Sequence, residues 1–485
     1  MSDRHRPRYH FMPPANWMND PNGLIQWQGT YHLFYQHNPA AAKWGQIHWG
    51  HATSSDLVYW KHEPIALAPT PGGPDQSGVW SGSAVNWEGQ PTLVYTARDG
   101  EREAVCLALS DDRMQDWKKF PGNPVIPEPP QGLDLWGFRD PYVWNHHGQW
   151  MMVIGSGFRG EGGAVLLYSS PNMTDWTYLG PLLTGDNRQE EWAWTGEMWE
   201  CPNFFHLTSA QGGGWLLMVS AMSIKPRSSL YTVCFTGDFD GKRFTPHRAA
   251  RMDGGDLYFY APQAFLDEWG RRIVFGWSRE ARSEESQLAA GWAGVMTLPR
   301  LLELDPDGLL LQRPVPEVEK LRGAAVKGGE MLLEPSEESV TPIQLGNIPG
   351  DSLEMEVVFD RKTGGAAEDS FGLLVRRSPD GEEQTEIRIR PSAAVLEVDT
   401  RRSSLSQDVD AKVFSIPLTS AHGDHLHMRV FIDCSIIEVF VDDTAVITAR
   451  VYPSRSDSLG AAFFAHGSPA RVARLRAWSM KSIYE

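Results

Sequence analysis

Short apolar runs separated by turn residues dominate the chain up to about Arg300. Tyr31-His32-Leu33-Phe34-Tyr35-Gln36, Thr92-Leu93-Val94-Tyr95, Trp150-Met151-Met152-Val153-Ile154, Trp215-Leu216-Leu217-Met218-Val219 and Arg272-Ile273-Val274-Phe275-Gly276-Trp277 each have the length of a strand. Helical periodicity is scarce. The runs recur in loosely similar units. Each unit opens on a small or acidic residue, passes through a Trp- or Gly-containing hairpin and an apolar strand, and closes on an Asp/Ser-rich turn with an aromatic. Ser55-Asp56-Leu57-Val58-Tyr59-Trp60 and Asn172-Met173-Thr174-Asp175-Trp176 are two such closures. The openings fall at Asp20, Ser81, Asp140, Glu200 and Tyr260, spaced by 59 to 61 residues. A period near 60 with several strands per unit predicts propeller blades. Five blades place five equivalent turns around one axial funnel and so gather Asp20, Asp140 and Glu200. Coincident hairpin spacing is the alternative.

Beyond Arg300 the pattern changes. Arg313-Pro314-Val315-Pro316 and the charged Glu317–Arg322 stretch predict a linker with a short helix. From Ser352 onward, strands alternate: Leu353, Met355 and Val357 with Glu354 and Glu356, then Thr385, Ile387 and Ile389 with Glu386, Arg388 and Arg390. Two-faced strands follow at 428–431, 436–441 and 446–451. Antiparallel strands of this kind predict a β-sandwich. The expected fold is all-β, with a five-bladed propeller over 1–315, a linker over 316–335 and a C-terminal sandwich over 336–485. The sandwich shows no pocket-like cluster of titratable groups and reads as structural or accessory.

At 485 residues the chain is too long for one compact core. Its formal charge of −17 repels phosphate backbones and anionic bilayers, so neither nucleic acid nor membrane is an expected partner. A neutral, polyhydroxylated ligand suits such a surface. Some of the 20 Trp residues could stack on sugar rings, although most read as core or strand positions. Cys106, Cys201, Cys234 and Cys434 lie far apart without metal-ligand spacing, which is the pattern of reduced cytosolic thiols. The segment Met1–Pro7 has no apolar core of a signal peptide, and no apolar run approaches a membrane span. A cytoplasmic location is therefore expected. His32, His37, His48 and His51 raise the question of a metal site, but alternating strand positions and polar loops explain them better. No metal and no cofactor are expected.

One stretch concentrates chemistry. Trp17-Met18-Asn19-Asp20-Pro21-Asn22-Gly23 holds an aromatic plate, amides and a carboxylate in seven residues. Pro21 biases Asp20 away from the helical region and Gly23 permits positive φ, so the stretch reads as a tight turn feeding the strand Leu24–Trp27. Asp20 then stands at the mouth of a strand. An ordinary Asx-turn is the alternative. Asp140 in Phe138-Arg139-Asp140-Pro141 and Glu200 in Trp199-Glu200-Cys201-Pro202 also precede a proline at the start of a unit. Three acids crowded in one funnel cost energy and need a reason. Glycoside cleavage supplies one, because it uses one carboxylate as nucleophile and one carboxylic acid that keeps its proton near neutral pH. Glu200, between Trp199 and Cys201, has neighbours suited to an apolar wall. Asp20, beside amides, has neighbours suited to an ionised nucleophile. Arg139 beside a ring of carboxylates lowers their pKa values and donates to hydroxyls. Cys201 has no His/Asn partner motif and reads as a packed thiol.

These residues carry a family resemblance. The heptad at 17–23 resembles the sucrose-binding box of family 32 of the glycoside hydrolases, which contains invertases, inulinases, levanases and sucrose-6-phosphate hydrolases. The similarity continues through Phe34-Tyr35-Gln36-His37-Asn38-Pro39, Trp44–Ala52, Trp80-Ser81-Gly82-Ser83-Ala84, Arg139-Asp140-Pro141 and Glu200-Cys201-Pro202. It reaches Asp433-Cys434-Ser435-Ile436-Ile437-Glu438-Val439-Phe440 near the C-terminus. The resemblance implies a propeller followed by a sandwich, and retaining hydrolysis of terminal β-D-fructofuranosyl residues in sucrose and short fructo-oligosaccharides. It implies Asp20 as nucleophile, Glu200 as acid/base and Asp140 as transition-state stabiliser. Trp17, Asn19, Gln36, Trp44, Trp80, Ser81 and Arg139 are then expected around the fructose, with Trp277 closing the wall. The family often has Phe where Trp80 stands, and Asp where Asn203 stands. The second departure bears on the acid/base and the leaving-group subsite. Fructosyl transfer, exo-acting inulinase or levanase activity and sucrose-6-phosphate hydrolysis share the same motifs. A non-catalytic fructan-binding protein lacks a carboxylate that is present here, and five-bladed relatives acting on arabinans are not expected to carry the heptad. The expected partner is a small sugar, and the sandwich is the expected face for any homo-oligomer.

Overall fold

Apolar runs too short for helices pair as antiparallel strands, and in the computed structural model these build five sheets of four or five strands around one axis. The structure describes residues 3–185, 195–208, 213–225, 227–336, 340–361, 365–419 and 423–484. Met1 and Ser2 of the N-terminal segment read above lie outside it. Each blade runs outward from its first strand. The inner strands are Asn16–Trp27 in blade I, Gly78–Trp87 in blade II, Leu135–His146 in blade III, Met198–Leu207 in blade IV and Tyr260–Leu266 in blade V. Each inner strand neighbours the next, and blade V returns to blade I. The ring is closed by a short parallel pairing of Asn16 with Trp292 and Trp17 with Ala293.

The second strand of each blade is buried on both faces, because another blade covers each side. Trp150 to Gly157 in blade III shows no solvent-facing position. Blade-to-blade packing sets Val94, Val105 and Leu107 against Val143, Met152 and Ile154. Continuous apolar runs, rather than alternation, are the sequence form of such strands.

The heptad 17–23 is not a turn. It lies inside the first inner strand and contains two bulges, where Asn19-Asp20 face a single residue and the register slips again before Ile25. Asp20 therefore sits within a strand, not at its mouth. Gly23 has φ of +55°, and a Cβ there would meet the Phe34 ring at 2.8 Å, so the kink needs glycine. In blades III, IV and V the bulge pairs are Asp140-Pro141, Cys201-Pro202 and Ala261-Pro262, each opposite one residue of the second strand. Their first residues have φ of 63°, 47° and 49°. Glu200 thus shares its register with Arg139 and Tyr260, and Cys201 is the counterpart of Asp140. The expected equivalence of Asp140 and Glu200 is off by one position.

Residues 316–335, expected as a linker, are mostly built into secondary structure. Pro316–Leu321 is a 3-10 helix, while Arg322–Gly328 and Met331–Leu333 pair with the last strand, Ala470–Met480. That strand belongs to a seven-stranded sheet which faces a six-stranded sheet across a core including Met355, Leu373, Ile387 and Val430. The predicted alternation holds for Thr385–Arg390, with Thr385, Ile387 and Ile389 buried. It fails at Glu354, which is buried under Arg322 and Arg429 at 2.7 Å each. Ile436–Val441 is buried on both faces, since its outer side packs on the propeller through Ile436 and Phe440 against Tyr9, Phe11 and Phe275. Among the described residues no helix is long and apolar enough to cross a membrane.

Candidate active site

The bulged inner strands turn side chains toward the axis at one mouth of the funnel. A cavity of about 380 Å³ opens there, lined by Trp17, Asn19, Asp20, Gln36, Trp44, Trp80, Arg139, Asp140, Glu200 and Trp277. Ser81 lies just behind, bonded to Asp20. All residues expected at the site from the sequence thus meet at one place. A larger cavity of about 1580 Å³ lies at other strand ends, lined by residues including Ser83, Trp144 and His206, and contains none of them.

Asp20 is held by a closed ring of hydrogen bonds. Ser81 Oγ donates to its Oδ2 at 2.5 Å and Asn19 Nδ2 to its Oδ1 at 3.1 Å. Asn19 Nδ2 also donates to Gln36 Oε1 at 2.8 Å, Gln36 donates to Ser81 Oγ, and Trp17 Nε1 fixes Asn19 Oδ1 at 2.7 Å. Asp140 is braced through its backbone, its N–H donating to Thr96 Oγ1 at 2.7 Å. Its Oδ2 accepts from the Cys201 N–H at 2.9 Å. The Cys201 thiol donates toward Asp140 Oδ2 at 3.5 Å and toward Asp20 Oδ2 at 3.6 Å. The thiol therefore lies between the two carboxyl groups. The three positive-φ residues before proline are sparsely populated conformations costing on the order of 1–3 kcal/mol each, a strain that clusters at functional sites.

Glu200 does not face an apolar wall. Trp199 points away into the interblade core, while the Glu200 carboxyl accepts from Arg139 Nη2 at 2.8 Å and from the Tyr260 hydroxyl at 2.7 Å. Burial pushes Asp20 up to about 6, with Ser81 and Asn19 opposing the rise and the charge of Glu200 adding to it. The amide and hydroxyl donors that suit Asp20 to an ionised nucleophile are present, but burial outweighs them and holds it above the ordinary carboxylate range. Burial likewise pushes Asp140 up to about 7, against the pull of Arg139 and with Glu200 and Asp20 adding to it. Burial opposes the charge on Arg139, but Glu200, Glu103 and Asp140 outweigh it and keep the guanidinium protonated.

Trp17 and Trp277 meet edge-to-face at 5.8 Å and 61°, while Trp44, 56% exposed, stands edge-on to Trp80 at 6.3 Å. Apolar faces at the rim and polar groups at the base are the layout of a sugar site. Asn203 leaves Glu200 untouched: its amide donates to Cys201 O at 3.1 Å and Pro262 O at 3.0 Å and accepts from Ala264 N–H at 2.8 Å, joining blade IV to blade V. An ionised Asp could not make the two donations. His32 Nδ1 and His51 Nε2 bond to each other at 3.0 Å inside blade I. Tyr260 and Cys201 are among the site residues that motif reading passed over, as is Arg279 at the rim. For Tyr260 and Cys201 the signal was their register, one residue before the bulge and on it.

Comparison with known proteins places the chain in a family. Residues 10–314 match the glycosyl hydrolases family 32 N-terminal domain, and residues 317–479 match the glycosyl hydrolases family 32 C-terminal domain. The chain is 35% identical to a sucrose-6-phosphate hydrolase of Escherichia coli over 95% of this chain and 92% of that one. It is 34% identical to a levanase of Bacillus subtilis (strain 168), over 99% of this chain and 71% of the relative. Its fold matches the crystal structure of fructan 1-exohydrolase IIa from Cichorium intybus with a TM-score of 0.87 and 30% identity, covering 99% and 98% of the two chains. Matched in both domains along nearly its whole length, this protein is a glycoside hydrolase and belongs to glycosyl hydrolases family 32.

Proposed function

We propose that the protein hydrolyses terminal, non-reducing β-D-fructofuranosyl residues of sucrose and short fructo-oligosaccharides with retention at the anomeric carbon. The observation that carries this reading is that Asp20 and Glu200 share one cavity in different bonding environments. Asp20, held by Ser81 and Asn19, is the nucleophile, and Glu200 is the acid/base. The Asp20 carboxylate attacks the anomeric carbon while Glu200 gives its proton to the departing glycosidic oxygen, leaving a fructosyl ester on Asp20. Water then attacks the same carbon, Glu200 takes its proton, and the ester bond breaks to free fructose and the Asp20 carboxylate. Asp140, fixed by Thr96 and Cys201, holds fructose hydroxyls.

A second reading, hydrolysis of sucrose-6-phosphate, is favoured by Arg279. This exposed residue lines the same cavity, and its guanidinium has no partner among the described residues, which suits an anionic substituent on the leaving sugar. Initial rates on sucrose, sucrose-6-phosphate, 1-kestose, inulin and levan test both readings. The first expects sucrose or 1-kestose to lead; a dominant rate on sucrose-6-phosphate supports the second. Transfer to sugar rather than water at high sucrose would make the protein a fructosyltransferase.

A further inference from the structure

Glu103 has no place in the two-step reaction, yet it is 7% exposed and fully bonded beside the site. It lies on the third strand of blade II, Arg102–Ser110, opposite Arg98 in the ladder. Its carboxylate crosses into blade III. Oε2 accepts the Phe138 N–H at 2.6 Å, and Oε1 accepts from Arg139 Nη1 at 3.2 Å and from Arg98 Nη1 at 2.6 Å. Arg139 turns its other edge to Glu200, with Nη2 at 2.8 Å and Nε at 3.2 Å from Oε1. One guanidinium thus spans two carboxylates. It passes through a gap that admits only glycine at position 137, where a Cβ would lie 2.4 Å from Arg139 Nη1.

We infer that Glu103 is a positioning residue of this active site, which anchors Arg139 from the side opposite Glu200 and shares its charge. The inference rests on the assignment of Glu200 as acid/base. A buried guanidinium with a single partner can swing, and a displacement of the order of 1 Å at a reacting group costs about 100-fold in rate. Charge sharing matters as well. With Glu103 anionic, part of the pull of Arg139 is spent away from Glu200. With a neutral residue at 103, the whole cation acts on Glu200 and disfavours its protonated, acid-competent form. The other groups facing Glu200 are the Tyr260 hydroxyl, Asp20, Asp140 and the Cys201 thiol, and none of them contacts Glu103 among the described residues. Glu103 faces Arg98 and Arg139, and Arg98 also faces Glu101 at 3.6 Å.

The test is the pH profile of kcat/KM on sucrose for the wild type, Glu103→Gln and Glu103→Asp, with Tm measured alongside. Glu103→Gln is expected to lower kcat by about 10- to 100-fold and to move the alkaline limb to lower pH by about half a unit or more. Glu103→Asp keeps the charge with less reach, so it is expected to restore the position of the limb and only part of kcat. A folded Glu103→Gln variant with wild-type kcat and limb would overturn the inference. Equal losses in both variants with a lower Tm and an unmoved limb would reduce Glu103 to a structural residue. Should Glu103→Gln fail to fold, Arg98→Met carries the test: it leaves more of Glu103 for Arg139, and the limb is expected to move to higher pH. No movement there would also overturn the inference. Full activity of Glu200→Gln on sucrose would instead remove the acid/base assignment, whatever the Glu103 variants do.

Discussion

Ser81 on blade II donates to Asp20 on blade I at 2.5 Å, and this bond is the strongest brace on the carboxylate. Burial nevertheless holds Asp20 at about 6. A nucleophile must be ionised, so kcat/KM is expected to fall as pH drops through about 6. Ser81→Ala removes a donor to the charged form, which favours the proton. Its acid limb is expected to move to higher pH by about one unit, with a fall in kcat/KM at pH 6 of about fivefold. A pH–rate profile of the two proteins checks this, and an unmoved limb would separate Ser81 from the titration of Asp20.

The same burial has a cost in stability. A carboxyl with a native value near 6 and an unfolded value of 3.8 binds more protons when folded, so folding stability falls as pH rises between those values. The difference corresponds to roughly 2–3 kcal/mol of destabilisation at neutral pH. Asp20→Asn removes the buried charge. Its Tm is expected to exceed that of the wild type by several degrees at pH 8 and by much less at pH 4. Scanning calorimetry at the two pH values checks the difference; equal Tm at pH 8 would contradict a burial cost on the Asp20 charge.

The propeller and sandwich are joined by buried charge. Glu438 accepts from Arg300 Nη2 at 2.6 Å, Leu298 N–H at 2.6 Å and His10 Nε2 at 3.0 Å, while His10 Nδ1 donates to Asp433 at 2.9 Å. Burial opposes the charge on His10, but the two carboxylates outweigh it and hold its pKa above the ordinary value. Burial also opposes the charge on Glu438, and Arg300 and His10 outweigh it and hold its pKa below the ordinary value. The contribution of His10 is complete below its unfolded value of about 6.5 and is lost as pH rises through the raised native value. That of Glu438 is present above its unfolded value and is lost as pH falls through the lowered native one. Glu438→Gln leaves Arg300 with Asp253 and His10 with Asp433 as their one remaining carboxylate each, and is expected to cost about 3 kcal/mol. Thermal unfolding reads this loss, and a Tm within a degree of the wild type would show that the network does not hold the domains together.

The blade period was legible because each unit repeats a hairpin and an apolar strand, and Asp20, Ser81, Asp140, Glu200 and Tyr260 each fall on or within one residue of the irregularity in an inner strand. The bulges were not. Pro21 and Gly23 look like turn residues, but two sheet neighbours fix their backbone within a strand, and that pairing is non-local. Glu200 was placed opposite Asp140 because 60-residue spacing cannot resolve a one-residue register. Arg139 was legible as a neighbour of the carboxylates, but its pairing with Glu200, and that of Tyr260, rest on inter-blade register that the spacing does not resolve. Glu354 and Glu438 look like outward-facing strand positions, and only the packing of Arg322, Arg429 and the propeller against that sheet buries them.

The most direct test of the account is the separation of Asp20 from Glu200 with two substrates. Asp20→Asn removes the covalent step for every substrate and is expected to lower kcat at least about 10³-fold on sucrose and on an activated fructoside alike, a barrier rise of about 4 kcal/mol. Glu200→Gln is expected to lose most activity on sucrose, whose leaving oxygen needs a proton, and far less in forming the intermediate from the activated fructoside. That variant is expected to show a burst, and azide is expected to restore its turnover by replacing water. Azide rescue of Asp20→Asn with none for Glu200→Gln would reverse the two roles, and full activity in both variants would contradict the account.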